Sequence, residues 1–124
     1  MAVRGAMEQL ESAVQRYFNL MYDFDMANFD RVFSKTAQLH GFREGQMTMW
    51  TIDEYRNVLK GRQSPKSLGA PREEEILMID FASPTQAMVK AKVRLNTAVF
   101  VDYLIFHQIN NEWTITSKAY HLVS

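Results

Sequence analysis

The segment FVDYLIFHQINNEWTITSKAYH, residues 100–121, places an aspartate, two histidines and a lysine in a sequence that otherwise favours β-strands. These residues are Asp102, His107, Lys118 and His121. A carboxylate buried in a sheet without partners is costly, so it must be hydrogen-bonded, protonated or open to a wet cavity. The face to which each side chain points therefore decides which of the four belongs to a site.

Two short turns set the predicted strand registers. Residues 110–111 are both Asn, which tolerates positive φ, and they predict a two-residue hairpin turn that pairs Asp102 with Ala119. A turn at residues 96–97 pairs Asp102 with Ala91 in the preceding hairpin. Asp102 is then predicted to point inward between two alanines, which leaves a hollow beside it.

The same registers send other polar residues to the opposite face of the sheet. Tyr103 is predicted to pair with Lys118, and His107 with Thr114, on a face that would suit a partner subunit, while His121 falls near the end of the inner face. A one-residue slip would exchange the two faces. Asp102 itself is either a pocket group or a structural acid that binds a helix hydroxyl such as that of Tyr17.

The elements that position these residues follow from hydrophobic spacing. Residues 7–24 have the pattern of an amphipathic helix, a brief helix follows within residues 26–33, and Thr51 with Glu54 forms a capping box that begins a third. Residues 61–72 read as a loop, the candidate mobile rim, and four long strands come after it. This order predicts an α+β fold with antiparallel pairing.

Composition limits the classes of function. Fourteen basic and fourteen acidic residues give a net charge of zero, which disfavours nucleic-acid and membrane binding. The 124 residues contain no cysteine, and three histidines without close spacing form no metal motif. We expect one cytoplasmic domain over residues 1–124, with no metal and no cofactor.

Four segments together carry a family resemblance: AVQRYF, DFDMANFDRVF, TIDEYRNVLK and the closing DYLIFHQINNEWTITSKAYH. The chain resembles the nuclear-transport-factor-2-like (NTF2-like) superfamily over nearly its whole length. Within it, the resemblance is to small bacterial domains labelled as lumazine-binding, near the SnoaL-like and ketosteroid isomerase groups. It implies a cystatin-like α+β cone, in which three helices pack on a curved, mainly antiparallel sheet around a cavity, and a homodimer formed through the sheet.

The resemblance also implies residue roles. Tyr17 matches the oxyanion-hole tyrosine of ketosteroid isomerases, and Asp102 falls near their oxyanion-hole acid. The general base of that family has no match, because its position is Gly41, next to His40. Tyr17 and Asp102 could still bind a carbonyl or enolate-like oxygen.

Three functions remain open from the sequence. The first is a dimeric domain that binds an aromatic or polycyclic metabolite in a pocket bounded by Tyr17, Trp50, Tyr55, Asp102 and His40. The second is a cofactor-free isomerase or lyase that uses His40 or Asp102 as acid or base and Tyr17 as donor. The third is a protein-interaction domain with a filled interior. The predicted dimer face contains Tyr103, His107 and Lys118.

Overall fold

The computed structural model describes the backbone of residues 2–123 and the side chains of residues 5–123. Its helices are α1 (Ala2–Asp23), α2 (Phe29–Val32), which follows a short 3₁₀ turn at Met26–Asn28, and α3 (Ile52–Lys60). Its strands are β1 (Phe33–Arg43), β2 (Gln46–Thr51), β3 (Glu74–Ser83), β4 (Gln86–Leu95), β5 (Ala98–Ile109) and β6 (Glu112–Leu122).

The six strands form one sheet in the order β2-β1-β6-β5-β4-β3. Every neighbouring pair is antiparallel except β1 and β6, which run parallel. Shifts of register in three of the pairs mark bulges or irregularities, which bend strands and increase their twist. The predicted α+β class, with helices on a mainly antiparallel sheet, is confirmed.

Helix α1 covers the sheet with one apolar face. This face consists of residues that recur at helical spacing and are at most 1% exposed, namely Leu10, Val14, Tyr17 and Met21. The helix ends where Phe24 adopts a positive φ of 53° and its amide donates to the Leu20 carbonyl at 2.9 Å. Tyr17 is thereby fixed in the middle of the interface between helix and sheet.

Helix α3 begins at the predicted capping box. The Thr51 hydroxyl accepts from the Glu54 amide at 3.2 Å, and the Glu54 carboxylate accepts from the Thr51 amide at 2.8 Å. This reciprocal pair satisfies two amides that the first turn of a helix leaves free. The helix buries Tyr55 on the side that faces the sheet.

Both predicted turns are present. Asn96 has a φ of 58°, and Asn110 and Asn111 have φ values of 52° and 65°, as a type I′ turn requires at both central positions. The predicted register of β4 with β5 is confirmed over its whole length, and Asp102 lies opposite Ala91.

The predicted register of β5 with β6 holds only near the turn. Phe106 pairs with Ile115 as expected, but the next pair is Ile105 with Ser117, so Thr116 has no partner on β5. Such a bulge inserts one residue into one strand, and every later side chain of that strand changes face. The predicted pairing of Asp102 with Ala119 is therefore wrong, because the bulge displaces the register by one residue.

The bulge exchanges the two faces of the C-terminal half of β6. Asp102 lies opposite Tyr120, and Tyr103 lies opposite Ala119 rather than Lys118. Lys118 is 4% exposed and points inward, so its predicted place on the outer face is wrong. His121 is expected from the sequence near the end of the inner face. It follows the bulge instead, is exposed, and shares the outer face with Ala119.

Two adjacent rows of inward side chains now cross the sheet. One row consists of Trp50, Leu39, Lys118, Leu104, Val89 and Ile79. The other row consists of Thr48, Gly41, Tyr120, Asp102, Ala91 and Ile76. The rows place Lys118 and Asp102 diagonally across neighbouring strands.

The absence of a side chain at Gly41 makes room for the Tyr120 ring. A Cβ atom at Gly41 would lie 2.2 Å from Cε2 of Tyr120 and 2.8 Å from its hydroxyl oxygen. No real Cβ atom is found that close to a ring, so any side chain there must displace Tyr120. Gly41 thus fixes the position of an aromatic ring on the inner face.

Gly41→Ala is expected to destabilise the fold by roughly 1–3 kcal/mol, because overpacking forces the half-buried Tyr120 ring to move. The free energy of unfolding in urea measures this loss, and the near-ultraviolet circular dichroism should change as Tyr120 shifts. Gly5→Ala is the matched control, since nothing lies within 4 Å of the Cβ atom it would add. Equal stability of the two variants would contradict the close approach of Tyr120 to Gly41.

Candidate functional site

A cavity of about 230 Å³ lies between the sheet and the helices. Its floor is formed by buried residues, namely Tyr17, Met21, Leu39, Tyr55, Asp102 and Lys118. Its rim carries the exposed residues Phe42, Arg43 and Arg62. Polar groups therefore lie at both ends of a cavity whose middle is mostly apolar.

Four of the predicted site residues border this one cavity. Tyr17 comes from α1, Trp50 from β2, Tyr55 from α3 and Asp102 from β5. Elements that are far apart in the sequence thus bring these four side chains together. That they bind a ligand stays a prediction.

His40 does not border the cavity. It pairs with Met49 and Ala119, both of which are exposed on the outer face. The inward positions of β1 belong to its neighbours Leu39 and Gly41, since side chains alternate along a strand. The predicted place of His40 at the pocket is therefore wrong.

The outer face keeps two of the three residues assigned to it from the sequence. Tyr103 is 45% exposed, and His107 is half-buried. His107 lies opposite Thr114 as predicted, but its Nδ1 atom lies 2.6 Å from the hydroxyl of Thr116, the bulged residue. His107 thus helps to fix the bulge from the outer side.

A buried polar cluster occupies the cavity floor. The Tyr17 hydroxyl donates a hydrogen bond to Oδ2 of Asp102, and Nζ of Lys118 lies 4.0 Å from the same oxygen. The side chains of Lys118 and Asp102 are 5% and 2% exposed. Oδ1 of Asp102 has no hydrogen-bond partner among the described residues.

The Lys118 ammonium group is surrounded by polarisable groups. It lies 5.0 Å from the ring centroid of Tyr17, 5.3 Å from that of Tyr55 and 3.9 Å from the sulfur of Met21. The faces of aromatic rings attract cations, and this attraction is strongest where water is excluded. These contacts offset part of the cost of burying the charge.

The electrostatics of the cluster set its protonation states. Burial by itself lowers the pKa of Lys118, but the charge of Asp102 and the neighbouring Tyr55 and Tyr120 raise it by more, so the pKa lies above its ordinary value. Burial, and then the charge of Asp102, raise the pKa of Tyr17 well above its ordinary value. At neutral pH the floor therefore holds a lysine cation and a neutral tyrosine, which suit charge stabilisation better than attack by a free amine.

One wall of the cavity is aromatic. Trp50 stacks on Tyr55, with centroids 5.7 Å apart and an interplanar angle of 24°, and on Tyr120 at 6.0 Å and 20°. Phe100 meets the Tyr120 ring edge-on at 6.2 Å. Flat surfaces of this kind favour planar ring ligands.

The sequence prediction missed Lys118, Tyr120 and Phe100 as cavity residues. A signal for the first two was present in the pattern of β6. Trp113 and Ile115 are large and apolar at odd positions, whereas Tyr120 and Leu122 fall at even positions. A change of parity within one strand indicates a bulge.

Two general features of the described residues bear on the class of site. Within residues 2–123, no three His, Asp or Glu side chains lie together in a way that could hold a metal ion. Over the same part of the chain, no helix is both long and apolar enough to cross a membrane.

The architecture is shared with solved structures. An NTF2-like protein of unknown function from Silicibacter pomeroyi DSS-3 is 20% identical, with 99% of this chain and 100% of that chain covered and a TM-score of 0.87. An NTF2-like protein of unknown function from Shewanella baltica OS155 is also 20% identical, with 95% of this chain and 94% of that chain covered and a TM-score of 0.82. A ketosteroid isomerase-like protein from Erwinia carotovora atroseptica SCRI1043 is 13% identical, with 94% of this chain and 95% of that chain covered and a TM-score of 0.71. The fold is NTF2-like.

The family follows from the sequence itself. A family model described as "Putative lumazine-binding" matches residues 6–121, and the chain belongs to this family. No curated protein matches the sequence. The resemblance inferred from the four sequence segments is thereby confirmed at the level of superfamily and family.

Lys118→Met is expected to destabilise the protein by roughly 3–5 kcal/mol, because it leaves the Asp102 carboxylate buried without its cation. Adding Asp102→Asn should recover most of this loss, since the amide oxygen can still accept from Tyr17 while both charges are gone. Urea unfolding measures both effects. Lys35→Met, on an exposed lysine of β1, is the control and should change stability by about 0.5 kcal/mol or less.

Proposed function

We propose that the chain, acting as one cytoplasmic domain over residues 1–124, binds a flat aromatic or polycyclic metabolite in the cavity between its helices and its sheet. The observation that carries this proposal is the aromatic wall of Trp50, Tyr55 and Tyr120 beside a cavity of about 230 Å³. The family description names a two-ring heteroaromatic compound, which agrees with such a wall. The volume is below the roughly 300–1,000 Å³ of drug-sized sites, which favours a compact ring system.

The polar floor gives the ligand an orientation. Oδ1 of Asp102 is an acceptor without a partner among the described residues, and Lys118 Nζ lies 3.9 Å from the Met21 sulfur and 4.0 Å from a carboxylate oxygen of Asp102. A ring that presents a donor beside an acceptor would satisfy both. Buried polar groups left unpaired cost free energy, so pairing them contributes to affinity and to selectivity.

A cofactor-free isomerase or lyase is the second candidate, and the buried cluster of Tyr17, Asp102 and Lys118 favours it. His40 no longer belongs to its acid and base groups. Tyr17 donates to Asp102, so these two groups are engaged with each other rather than directed together at a ligand oxygen. Lys118, which bears a positive charge, is the group that could stabilise a developing negative charge.

The protein-interaction alternative requires a filled interior. The cavity between the helices and the sheet counts against that requirement. The outer face of the sheet is a separate matter, because its exposed apolar residues lie outside the cavity.

We also propose that two copies pair through the outer face of the sheet. One row of side chains crosses this face from edge to edge, consisting of Met49, His40, Ala119, Tyr103, Lys90 and Met78. Met49, Tyr103 and Met78 are 44%, 45% and 51% exposed, and exposed apolar residues gathered on one face are typical of an interface. The proposed dimer face includes Tyr103 and His107 but not Lys118, which is buried on the inner face.

Binding can be tested with lumazine and with 2-naphthamide, a neutral two-ring probe, by isothermal titration calorimetry. We expect saturable binding of one ring compound per chain. Trp50→Leu should weaken it by several-fold up to about tenfold, because an aromatic contact beyond area burial contributes roughly 0.5–1.5 kcal/mol. Tyr22→Leu removes a half-buried tyrosine of α1 outside the cavity and should leave the affinity unchanged.

Failure of both compounds to bind the folded wild-type protein would contradict the proposed function. Equal losses in Trp50→Leu and Tyr22→Leu would show that binding occurs away from the aromatic wall.

The dimer can be tested by sedimentation of Tyr103→Glu. A charge placed in the middle of the outer face should convert the dimer into a monomer, because an unpaired charge is costly in an apolar interface. Leu68→Glu, at an exposed leucine of the loop 61–72, is the control and should sediment as the wild type does. A wild-type monomer, or a dimer that Tyr103→Glu leaves intact, would rule this interface out.

A further inference from the structure

The rim of the cavity bears two arginines from separate elements. Arg43 is the last residue of β1 and lies two residues beyond Gly41. Arg62 comes directly after Gly61, the residue that caps the C-terminal end of α3. Both border the cavity and both are exposed. Their guanidinium groups therefore lie where a ligand would enter.

Arg43 and Arg62 differ from the four arginines that make ion pairs with carboxylates in the described part of the chain. Arg31, Arg56, Arg72 and Arg94 each pair with a carboxylate, at 2.5–3.4 Å. Among residues 5–123, neither Arg43 nor Arg62 has a carboxylate oxygen within 4.0 Å, although Glu44 follows Arg43 in the sequence. Their positive charge is thus not neutralised within the described part of the chain.

Among the described residues that line the cavity, Asp102 is the only acidic one, and it lies buried on the floor in contact with Tyr17 and Lys118. Burial raises the pKa of Tyr120 on the aromatic wall, and the charges of Lys118 and, to a smaller extent, Arg62 oppose that rise.

We infer that the ligand of this cavity carries an oxyanion, a carboxylate or a phosphate, which Arg43 and Arg62 bind at the rim while the ring system lies against the aromatic wall. This inference rests on the proposed function, since it concerns the same cavity. A guanidinium presents a planar fork of N–H donors that matches the oxygens of either group. The small cavity volume agrees with it, because an anionic substituent can remain at the rim while only the rings are enclosed.

The test compares 2-naphthoate with 2-naphthamide, two probes of the same size and ring system that differ in charge. Calorimetry at low salt should show 2-naphthoate binding about tenfold more tightly, because charge-assisted hydrogen bonds are stronger than neutral ones. The preference should fall as salt is added, since exposed charges are screened. The double variant Arg43→Gln with Arg62→Gln should bind both probes with the affinity of the amide.

A matched control separates the two arginines from the overall charge. Arg31→Gln with Lys35→Gln also removes two exposed positive charges, at positions that do not border the cavity, and should keep the preference for 2-naphthoate. A loss of preference as large as in the rim variant would overturn the inference. Equal affinity of the wild-type protein for the two probes would also overturn it, yet leave the proposed function standing. Binding of neither probe would overturn the inference, and the failure of lumazine to bind as well would contradict the proposed function.

Discussion

The Lys118 ammonium group and the Asp102 carboxylate are buried together, and this pair constrains everything around it. Two charges removed from water are stabilised only when each has partners in good geometry. Asp102 accepts from the Tyr17 hydroxyl, and Lys118 lies over the rings of Tyr17 and Tyr55. Helices α1 and α3 supply these rings, so the burial of the charged pair and the packing of both helices on the sheet depend on each other.

A bulge of one residue produces this arrangement. Because Thr116 has no partner on β5, the side chains that follow it change face, and both Lys118 and Tyr120 turn inward. Tyr120 then lies over Gly41 and stacks on Trp50, which builds the aromatic wall. The charged floor and the aromatic wall of the cavity thus have a common origin in the backbone of β6.

Much of the fold was predictable, because it depends on local signals that the sequence carries in full. The capping box at Thr51, the α1 stripe and the two asparagine turns each specify a conformation within a few residues, and the register of β4 with β5 follows from its turn alone. The hairpin turn predicts the register of β6 only as far as Ile115, and beyond it the change of parity in β6 indicates the bulge. A bulge is stabilised by tertiary contacts, here by His107 on one side and the buried charges on the other, and a turn cannot specify it. For that reason Asp102, Tyr17, Trp50 and Tyr55 were assigned to the cavity, whereas Lys118 was placed on the wrong face. His40 was misplaced for a different reason, since the alternation of apolar Ala37 and Leu39 with polar Gln38 and His40 already indicates that the histidine faces outward.

Titration of the Lys118 side chain by nuclear magnetic resonance, followed at its Cε atom, tests the buried pair most directly. A lysine held beside Asp102 should lose its proton at a pH above the ordinary value of 10.5, since the pKa is raised in the folded state. A midpoint for Lys118 at 10.5 or below would contradict the charged pair on which the fold of β6 and the cavity depend.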